Sequence, residues 1–136
     1  MKKGTERLHM KVEQRDLELI QESIKVIDRN FDEVNKRHTV GAAVRCKNGK
    51  IYTGVNLYSI HGSCAEFIAI GAAITAGERE FETIVATRTQ SEGGILLPPR
   101  GNCREMLVRY APDIQVLVQT GNGVEKYSIQ ELMPHH

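Results

Sequence analysis

The sequence predicts an α/β protein in which a mixed five-stranded sheet is flanked by helices, and three observations lead to that class. Apolar residues near the N-terminus recur at three- and four-residue steps, as on a helix with one covered face. Asn48-Gly49 separates two short apolar runs, which is the strongest short signal for a β-hairpin. Helical and strand patterns then alternate without an internal repeat, and 136 residues suffice for one such domain.

The predicted order of elements is αββαβαββα, and its first three elements are a helix and two strands. A helix begins near Glu13 and ends near Phe31. Two strands, at residues 40–44 and 51–55, follow it and pair as the hairpin. On the first helix, one apolar stripe is expected to face the protein core. It consists of Leu17, Ile20, Ile24, Ile27 and Phe31.

The second half of the chain supplies the remaining elements. A helix from Cys64 to Ala76 is apolar on most sides, which predicts burial, and Gly77 ends it as a C-cap. The later elements are a strand at 83–87, a helix at 103–110, strands at 114–119 and 125–128 and a helical turn at 129–133, with loops at 91–94 and 97–99. We expect residues 1–12 to be a disordered N-terminal extension or a tag remnant and residues 13–136 to form the domain.

Composition excludes several classes of partner. The 18 basic and 17 acidic residues are spread along the chain and aromatic residues make up only 5%, so no basic face for nucleic acid is predicted. No segment approaches the roughly 20 apolar residues of a membrane span, and the first residues of the sequence lack the apolar core expected of a signal peptide. We therefore expect a cytoplasmic protein whose partners include neither a membrane nor nucleic acid.

Two of the three cysteines stand where a thiol can become reactive. Cys64 and Cys103 each begin a predicted helix, where free backbone N–H groups and the helix dipole lower the pKa of a thiol. Cys46 runs into the hairpin turn and is interpreted as a small buried side chain. An odd number of cysteines without a secretion signal argues against a disulfide framework.

The motifs around the two cysteines match a known arrangement. Zinc deaminases combine a histidine or cysteine two residues before a glutamate with a Pro-Cys-x-x-Cys segment that opens a second helix. The matching segments here are Thr39-Val40-Gly41-Ala42-Ala43, residues 48–58, Cys64-Ala65-Glu66, Gly94-Ile95-Leu96 and residues 99–104. From about Thr39 to Met133 the chain thus resembles the cytidine deaminase family, and within it the blasticidin-S deaminase group.

The resemblance implies a fold, a reaction and an assembly. The fold would be a three-layer α/β/α arrangement, and the subunits would form a homotetramer or homodimer. The reaction would be hydrolytic deamination of a 4-aminopyrimidine nucleoside or analogue, of the cytidine and blasticidin S class. Cys64 and Cys103 carry over as zinc ligands, and Glu66 carries over as the proton shuttle between the attacking water, ring N3 and the departing amino group.

The resemblance also implies contacts with a small-molecule substrate. Asn56 matches a ribose-contacting asparagine, and Ala65 lies within the Cys-Ala-Glu motif. His38 lies where relatives carry an aromatic ring beneath the pyrimidine. Tyr58 replaces the glutamate of nucleoside deaminases, and the loss of that carboxylate favours modified or non-ribose analogues over plain cytidine.

One position departs from the family pattern. Arg100 stands where the first cysteine of Pro-Cys-x-x-Cys is expected, and a guanidinium has no lone pair for a metal ion. His61 is the nearest candidate for a third zinc ligand, although the favoured interpretation is a loop residue at the pocket mouth.

Three alternatives remain open from the sequence. In a metal-free binding protein, Arg100 would occupy the zinc position and pair with Glu66 and both thiolates. Ser63-x-x-Glu66 also has the spacing of a helix capping box, so Glu66 has a purely structural interpretation as well. An enzyme that edits RNA or DNA is less favoured, because no basic aromatic channel is evident.

Overall fold

The computed structural model describes residues 11–89 and 95–132 of the chain. Its elements are α1 (Gln14–Asn30), β1 (Val40–Cys46), β2 (Ile51–Val55), α2 (Ala65–Thr75), β3 (Phe81–Arg88), α3 (Gly101–Tyr110), β4 (Gln115–Thr120), β5 (Gly123–Ser128) and a 3-10 turn, Gln130–Leu132. Both the order of elements and the predicted fold class are confirmed. The predicted boundaries agree to within two residues, and the 3-10 turn replaces the expected final helical turn.

The five strands form one mixed sheet in the order β2-β1-β3-β4-β5. Only β3 and β4 run parallel, because α3 lies between them in the chain and returns it to the same end of the sheet. The β1–β2 hairpin is confirmed, and the amide of Cys46 donates to the carbonyl of Lys50 across its turn at 2.8 Å.

The sheet separates two buried clusters, which makes the architecture three-layered. Alternate residues of β1 point to opposite faces, so Ala42 and Val44 join one cluster and Ala43 joins the other. Helices α2 and α3 cover the first face through Ala65, Ala69, Ile70, Ala73, Met106 and Leu107. Helix α1 covers the second face, where Leu19 and Ile20 pack with Val85, Leu96 and Leu117.

The buried face of α1 differs from the predicted stripe. Leu17 is 44% exposed, whereas Asp16 and Ser23 are fully buried. Ser23 is satisfied by the carbonyl of Ile20 at 2.6 Å and the hydroxyl of Thr87 at 2.9 Å. The prediction was wrong at Leu17, and it did not include Asp16 and Ser23, which can be buried because they have hydrogen-bond partners in the core.

Helix α2 lies close to β2 and ends sharply. A Cβ on Gly54 would lie 2.6 Å from the amide nitrogen of Ala69, so only glycine lets the strand approach this closely. At the other end, Gly77 has φ +101° and its amide donates to Ile74, while the next amide, of Glu78, donates to Ala73. This pair of bonds is a Schellman motif, with Ala76 as the C-cap and Gly77 immediately after it.

The expectation that α2 is buried on most sides holds for one face only. Ala65, Ala69 and Ala73 are fully buried, but Gly71 and Ala72 are exposed. The exposed face thus consists of small apolar residues, which the sequence pattern could not distinguish from a core face.

The ends of the described ranges bear on the predicted domain limits. Val12, which the sequence analysis assigned to the N-terminal extension, packs against the α1-side cluster. The residues outside the described ranges are 1–10, 90–94 and 133–136, and they include the whole of the predicted 91–94 loop. Within the described ranges, none of the helices is both long and apolar enough to cross a membrane.

Candidate active site

Three side chains that the sequence analysis singled out meet where α2 and α3 begin. Cys64 is the N-cap of α2, Glu66 is the second residue of that helix, and Cys103 is the third residue of α3. Their sulfur and carboxylate atoms all lie within 4.8 Å of one another. The thiol of Cys103 donates to Oε1 of Glu66 at 3.9 Å. We call these three residues the Cys-Glu-Cys cluster.

The cluster forms the wall of a pocket of about 510 Å³. Ala65 and Asn56 line the same cavity, as do Tyr58 and Arg100. The volume suits a ligand of nucleoside size, since small-molecule pockets span about 300–1,000 Å³. The convergence of two helix starts on one cavity, expected from the motifs, is present.

Glu66 is a buried carboxylate with few partners. Its side chain belongs to a residue that is 7% exposed, and burial raises the pKa of its carboxyl above the ordinary value. Its own backbone N–H, the Cys103 thiol and the charge of Arg100 each favour the ionised form, but they offset only part of the burial effect. A carboxyl whose pKa is raised by burial beside a cavity is a candidate for proton transfer.

The thiol of Cys103 behaves differently from the expectation. Burial raises its pKa, and the negative charge of Glu66 and a hydrogen bond with Cys64 add to the effect, against a smaller lowering by the backbone of Arg100. The helix start was predicted to favour the thiolate, but desolvation outweighs it here. A cation held between the thiols would reverse this balance, because a coordinating thiol is deprotonated.

The capping-box interpretation of Ser63 and Glu66 does not match the structure. Cys64, rather than Ser63, is the N-cap of α2, and no side-chain cap bond is formed there. Ser63 instead pairs through its backbone with Leu57. The carboxylate of Glu66 therefore lies beside the thiol of Cys103 and accepts its own backbone N–H, without the reciprocal bonds to Ser63 that a capping box requires.

Arg100 is the N-cap of α3 and lies on the pocket wall with an exposed side chain. Among the described residues it forms no ion pair with Glu66, and it influences that carboxylate only through its charge at a distance. Burial between the two thiols, as the metal-free alternative requires, is not what the structure shows. Arg104, one turn further, holds this segment in place by donating to the carbonyls of Pro99 at 2.8 Å and Leu132 at 2.9 Å.

His61 is not brought to the cluster. Backbone bonds between Leu57 and Ser63, and from the amide of Gly62 to the carbonyl of Ser59, close the preceding loop into a small turn. His61 lies at the tip of this turn and is exposed. The loop was expected to be able to bend back, but its own hydrogen bonds hold the imidazole toward solvent.

The predicted substrate contacts divide into two groups. Ala65, Asn56 and Tyr58 line the pocket, and Tyr58 stands at its rim with 76% of its surface exposed. Asn56 is held by the backbone amide of Val40, which donates to its Oδ1 at 3.2 Å. His38 does not belong to the lining residues, and its Nδ1 instead lies 2.8 Å from the carbonyl oxygen of Asn56.

The sequence analysis missed two arginines that belong to this region. Arg88, the last residue of β3, lines the pocket. Arg104 positions the segment before α3, as described above. A charged residue directly after the apolar run of a strand is a signal for Arg88, whereas nothing in the spacing indicates which carbonyls Arg104 binds.

The donor atoms present are compatible with zinc. Thiolate sulfur and carboxylate oxygen are both ligand types that zinc accepts, and zinc sites almost always have three or four protein ligands. Cys64 and Cys103 supply two, and the number reaches three only when Glu66 is included. The residues thus fit the metal as a set of three.

Comparisons with known proteins agree with this geometry. No family model matches the chain. Blasticidin-S deaminase of Bacillus cereus is 38% identical over 131 residues, covering 90% of this chain and 92% of that protein. Cytidine deaminase of Halalkalibacterium halodurans is 29% identical over 121 residues, covering 85% of this chain and 89% of that protein.

The solved structures with a similar fold include cytidine deaminases. Cytidine deaminase from Mycobacterium leprae has a TM-score of 0.72 at 23% identity, covering 91% of this chain and 100% of that one. Cytidine deaminase from Burkholderia pseudomallei has a TM-score of 0.71 at 25% identity, with coverage of 88% and 96%. The three-layer fold is thus shared with these structures.

Proposed function

The chain belongs to the cytidine deaminase family, and from that premise we propose that it hydrolytically deaminates a 4-aminopyrimidine nucleoside or analogue of the cytidine and blasticidin S class. The observation that carries the proposal is the Cys-Glu-Cys cluster on the wall of a nucleoside-sized pocket. The names of the relatives, blasticidin-S deaminase and cytidine deaminase, supply the two substrate classes to be compared.

Cys64 and Cys103 are the proposed zinc-holding residues, because their sulfurs converge from two rigid helix starts. A zinc ion bound there would supply a water molecule with a lowered pKa, so that hydroxide is available near neutrality. The cysteines within the described residues are free thiols, as such a site requires. A reducing compartment preserves them, and this supports the cytoplasm as the proposed location.

Glu66 is the proposed proton carrier. Its carboxylate would take the proton of the attacking water, deliver it to ring N3 and then protonate the departing amino group. Burial, which raises the pKa of this carboxyl, brings proton uptake and release closer to neutral pH.

Asn56, Ala65 and Tyr58 are the proposed substrate contacts, and His38 is proposed to position Asn56. The Oδ1 of Asn56 is occupied by Val40, and its Nδ2 lies 3.4 Å from the hydroxyl of Thr39. The amide has a second N–H that remains for a substrate hydroxyl. Tyr58 offers a ring and a hydroxyl at the rim, which suits a bulky analogue better than a bare ribose.

The test is the loss of 4-aminopyrimidine absorbance with cytidine, deoxycytidine and blasticidin S, each with and without added zinc. We expect turnover of at least one substrate, and a fall in kcat of at least about 100-fold for Glu66→Gln. Cys46→Ala is the matched control for Cys103→Ala, because Cys46 is equally buried but lies outside the cluster. Absence of turnover by the native protein with every substrate, despite bound zinc, would contradict the proposal.

The metal-free binding protein is the second candidate, and the observation in its favour is that the described cluster contains only two thiols. The exposed position of Arg100 gives it no further support. Arg100→Cys separates the two candidates in the same assay. Turnover by the variant alone would favour the binding protein, whereas turnover by both proteins favours the enzyme.

We also propose that the protein forms a homodimer or homotetramer through the surface around the pocket mouth. Ile60 is 97% exposed there, next to Leu57 and Tyr58, and α2 presents its face of small residues to solvent. Exposed apolar side chains of this density mark association surfaces. We expect Ile60→Asp to lower the mass measured by sedimentation equilibrium, while Val34→Asp, which replaces a similarly exposed side chain in the turn between Asp32 and Arg37, leaves it unchanged.

A further inference from the structure

The zinc site proposed above lacks a third sulfur, and the structure indicates which group takes its place. Within the described residues, one group of metal-ligating side chains lies close enough to share an ion, and it consists of Cys64, Glu66 and Cys103. His61 is exposed at the tip of its loop, and Arg100 has no lone pair to donate. The carboxylate of Glu66 is therefore the donor that is left.

The spacing of the three donor atoms is close to what a zinc ion requires. Bonds of about 2.3 Å to sulfur and about 2.0–2.2 Å to oxygen in a tetrahedral site place neighbouring donors roughly 3.5–3.8 Å apart. Cys103 Sγ and Glu66 Oε1 are already 3.9 Å apart, and no pair of donors exceeds 4.8 Å. A contraction of about 1 Å, within reach of side-chain rotation, closes the site.

The charges also balance. Two thiolates and one carboxylate carry the same total charge as three thiolates, so the substitution leaves the net charge of a zinc centre unaltered. Glu66 is 93% buried, since only 7% of it is exposed, and it has no cationic side chain bound to it among the described residues. Coordination to a cation would remove the cost of leaving this carboxylate unpaired in the interior.

We propose that Glu66 is the third protein ligand of zinc in the substrate-free protein, so that the centre is formed by two cysteines and one glutamate. This rests on the proposed binding of zinc at Cys64 and Cys103. Binding to a cation lowers the basicity of a carboxylate, and the oxygen that ligates the metal is not free to accept a proton. Glu66 thus has two competing roles in this chain, and Arg100→Cys would release it for proton transfer.

The experiment measures zinc affinity by competition with a chromogenic chelator, without any substrate. The proteins compared are the native chain, Glu66→Gln, Arg100→Cys and the double variant, each checked for folding by circular dichroism. We expect Glu66→Gln to weaken zinc binding by at least about tenfold, because even groups behind a metal ligand typically contribute about 10- to 100-fold. In the Arg100→Cys background the same change should have little effect.

Cobalt substitution gives a second readout. The absorbance from sulfur-to-cobalt charge transfer should correspond to two thiolates in the native protein and rise by about half in Arg100→Cys. Unchanged affinity of Glu66→Gln, together with a loss of binding in Cys103→Ala, would overturn the inference while leaving the proposed zinc site intact. Zinc binding that is unaffected by Cys64→Ala and Cys103→Ala would instead overturn the proposed zinc site itself.

Discussion

Two carboxylates are buried on opposite sides of the same sheet, and they differ in whether a cationic side chain binds them. Asp16, on α1, is fully buried and bound by two cations, Lys126 at 2.7 Å and Arg45 at 2.8 Å. Its Oδ2 also accepts the amide of Glu13 at 2.9 Å. Glu66, on α2, has the thiol of Cys103 at 3.9 Å and no cation bound to it within the described residues.

The pKa values follow this difference. Burial alone would raise the pKa of Asp16, but the hydrogen bonds from Lys126 and Arg45 outweigh it and hold the pKa below the ordinary value. For Glu66 the burial effect prevails and the pKa is raised. A buried carboxylate that is bound by cationic side chains stabilises the fold. A buried carboxylate without such a partner, beside a cavity, is available for proton transfer or for binding a metal.

The largest expected effect on stability comes from removing the charge of Asp16. Asp16→Asn should lower the free energy of unfolding by about 3 kcal/mol, the lower end expected for breaking a buried ion pair, because it removes the charge that Lys126 and Arg45 both bind while Arg45 keeps Glu82 at 2.7 Å. Glu66→Gln is the matched control in metal-free protein, and we expect it to be within about 1 kcal/mol of the native chain or more stable. Urea denaturation measures both. An equal loss of unfolding free energy in the two variants would contradict the proposed difference between Asp16 and Glu66.

The pH dependence of the same pair of proteins sharpens the comparison. Since the pKa of Asp16 is lower in the folded than in the unfolded chain, its stabilisation is complete above the unfolded value of about 3.9 and is lost as the pH falls through the folded value. The stability difference between the native chain and Asp16→Asn should therefore narrow below about pH 4. Urea midpoints from about pH 7 to about pH 3 test this, and a constant difference would contradict it.

A smaller effect is expected from the packing that sets α2 against β2. Gly54→Ala should destabilise the protein by about 1–3 kcal/mol, because its Cβ would approach the backbone of Ala69 to 2.6 Å. Gly71→Ala, on the exposed face of α2, meets no atom within 4 Å and should stabilise the helix by up to about 1 kcal/mol. Thermal unfolding should therefore show a lower Tm for Gly54→Ala and a higher Tm for Gly71→Ala, and a Tm unchanged by Gly54→Ala would contradict the close packing of β2 on α2.

Much of the site followed from local signals. The helices that begin near Cys64 and Cys103 follow from the apolar periods of those segments, and the hairpin follows from Asn48-Gly49. The resemblance added that these segments would meet around Glu66. The location of His61 could not be predicted, since it depends on backbone bonds between Leu57 and Ser63 that close its loop.

By itself, the sequence determined the order of helices and strands and the two motifs, because hydrophobic period and turn residues act over a few neighbouring positions. Only the tertiary structure decided which acid is paired. The partners of Asp16 come from β1 and β5, far along the chain, and desolvation of Glu66 and Cys103 arises from packing of whole elements. Long-range contacts and burial are properties of the folded chain, so no local pattern encodes them.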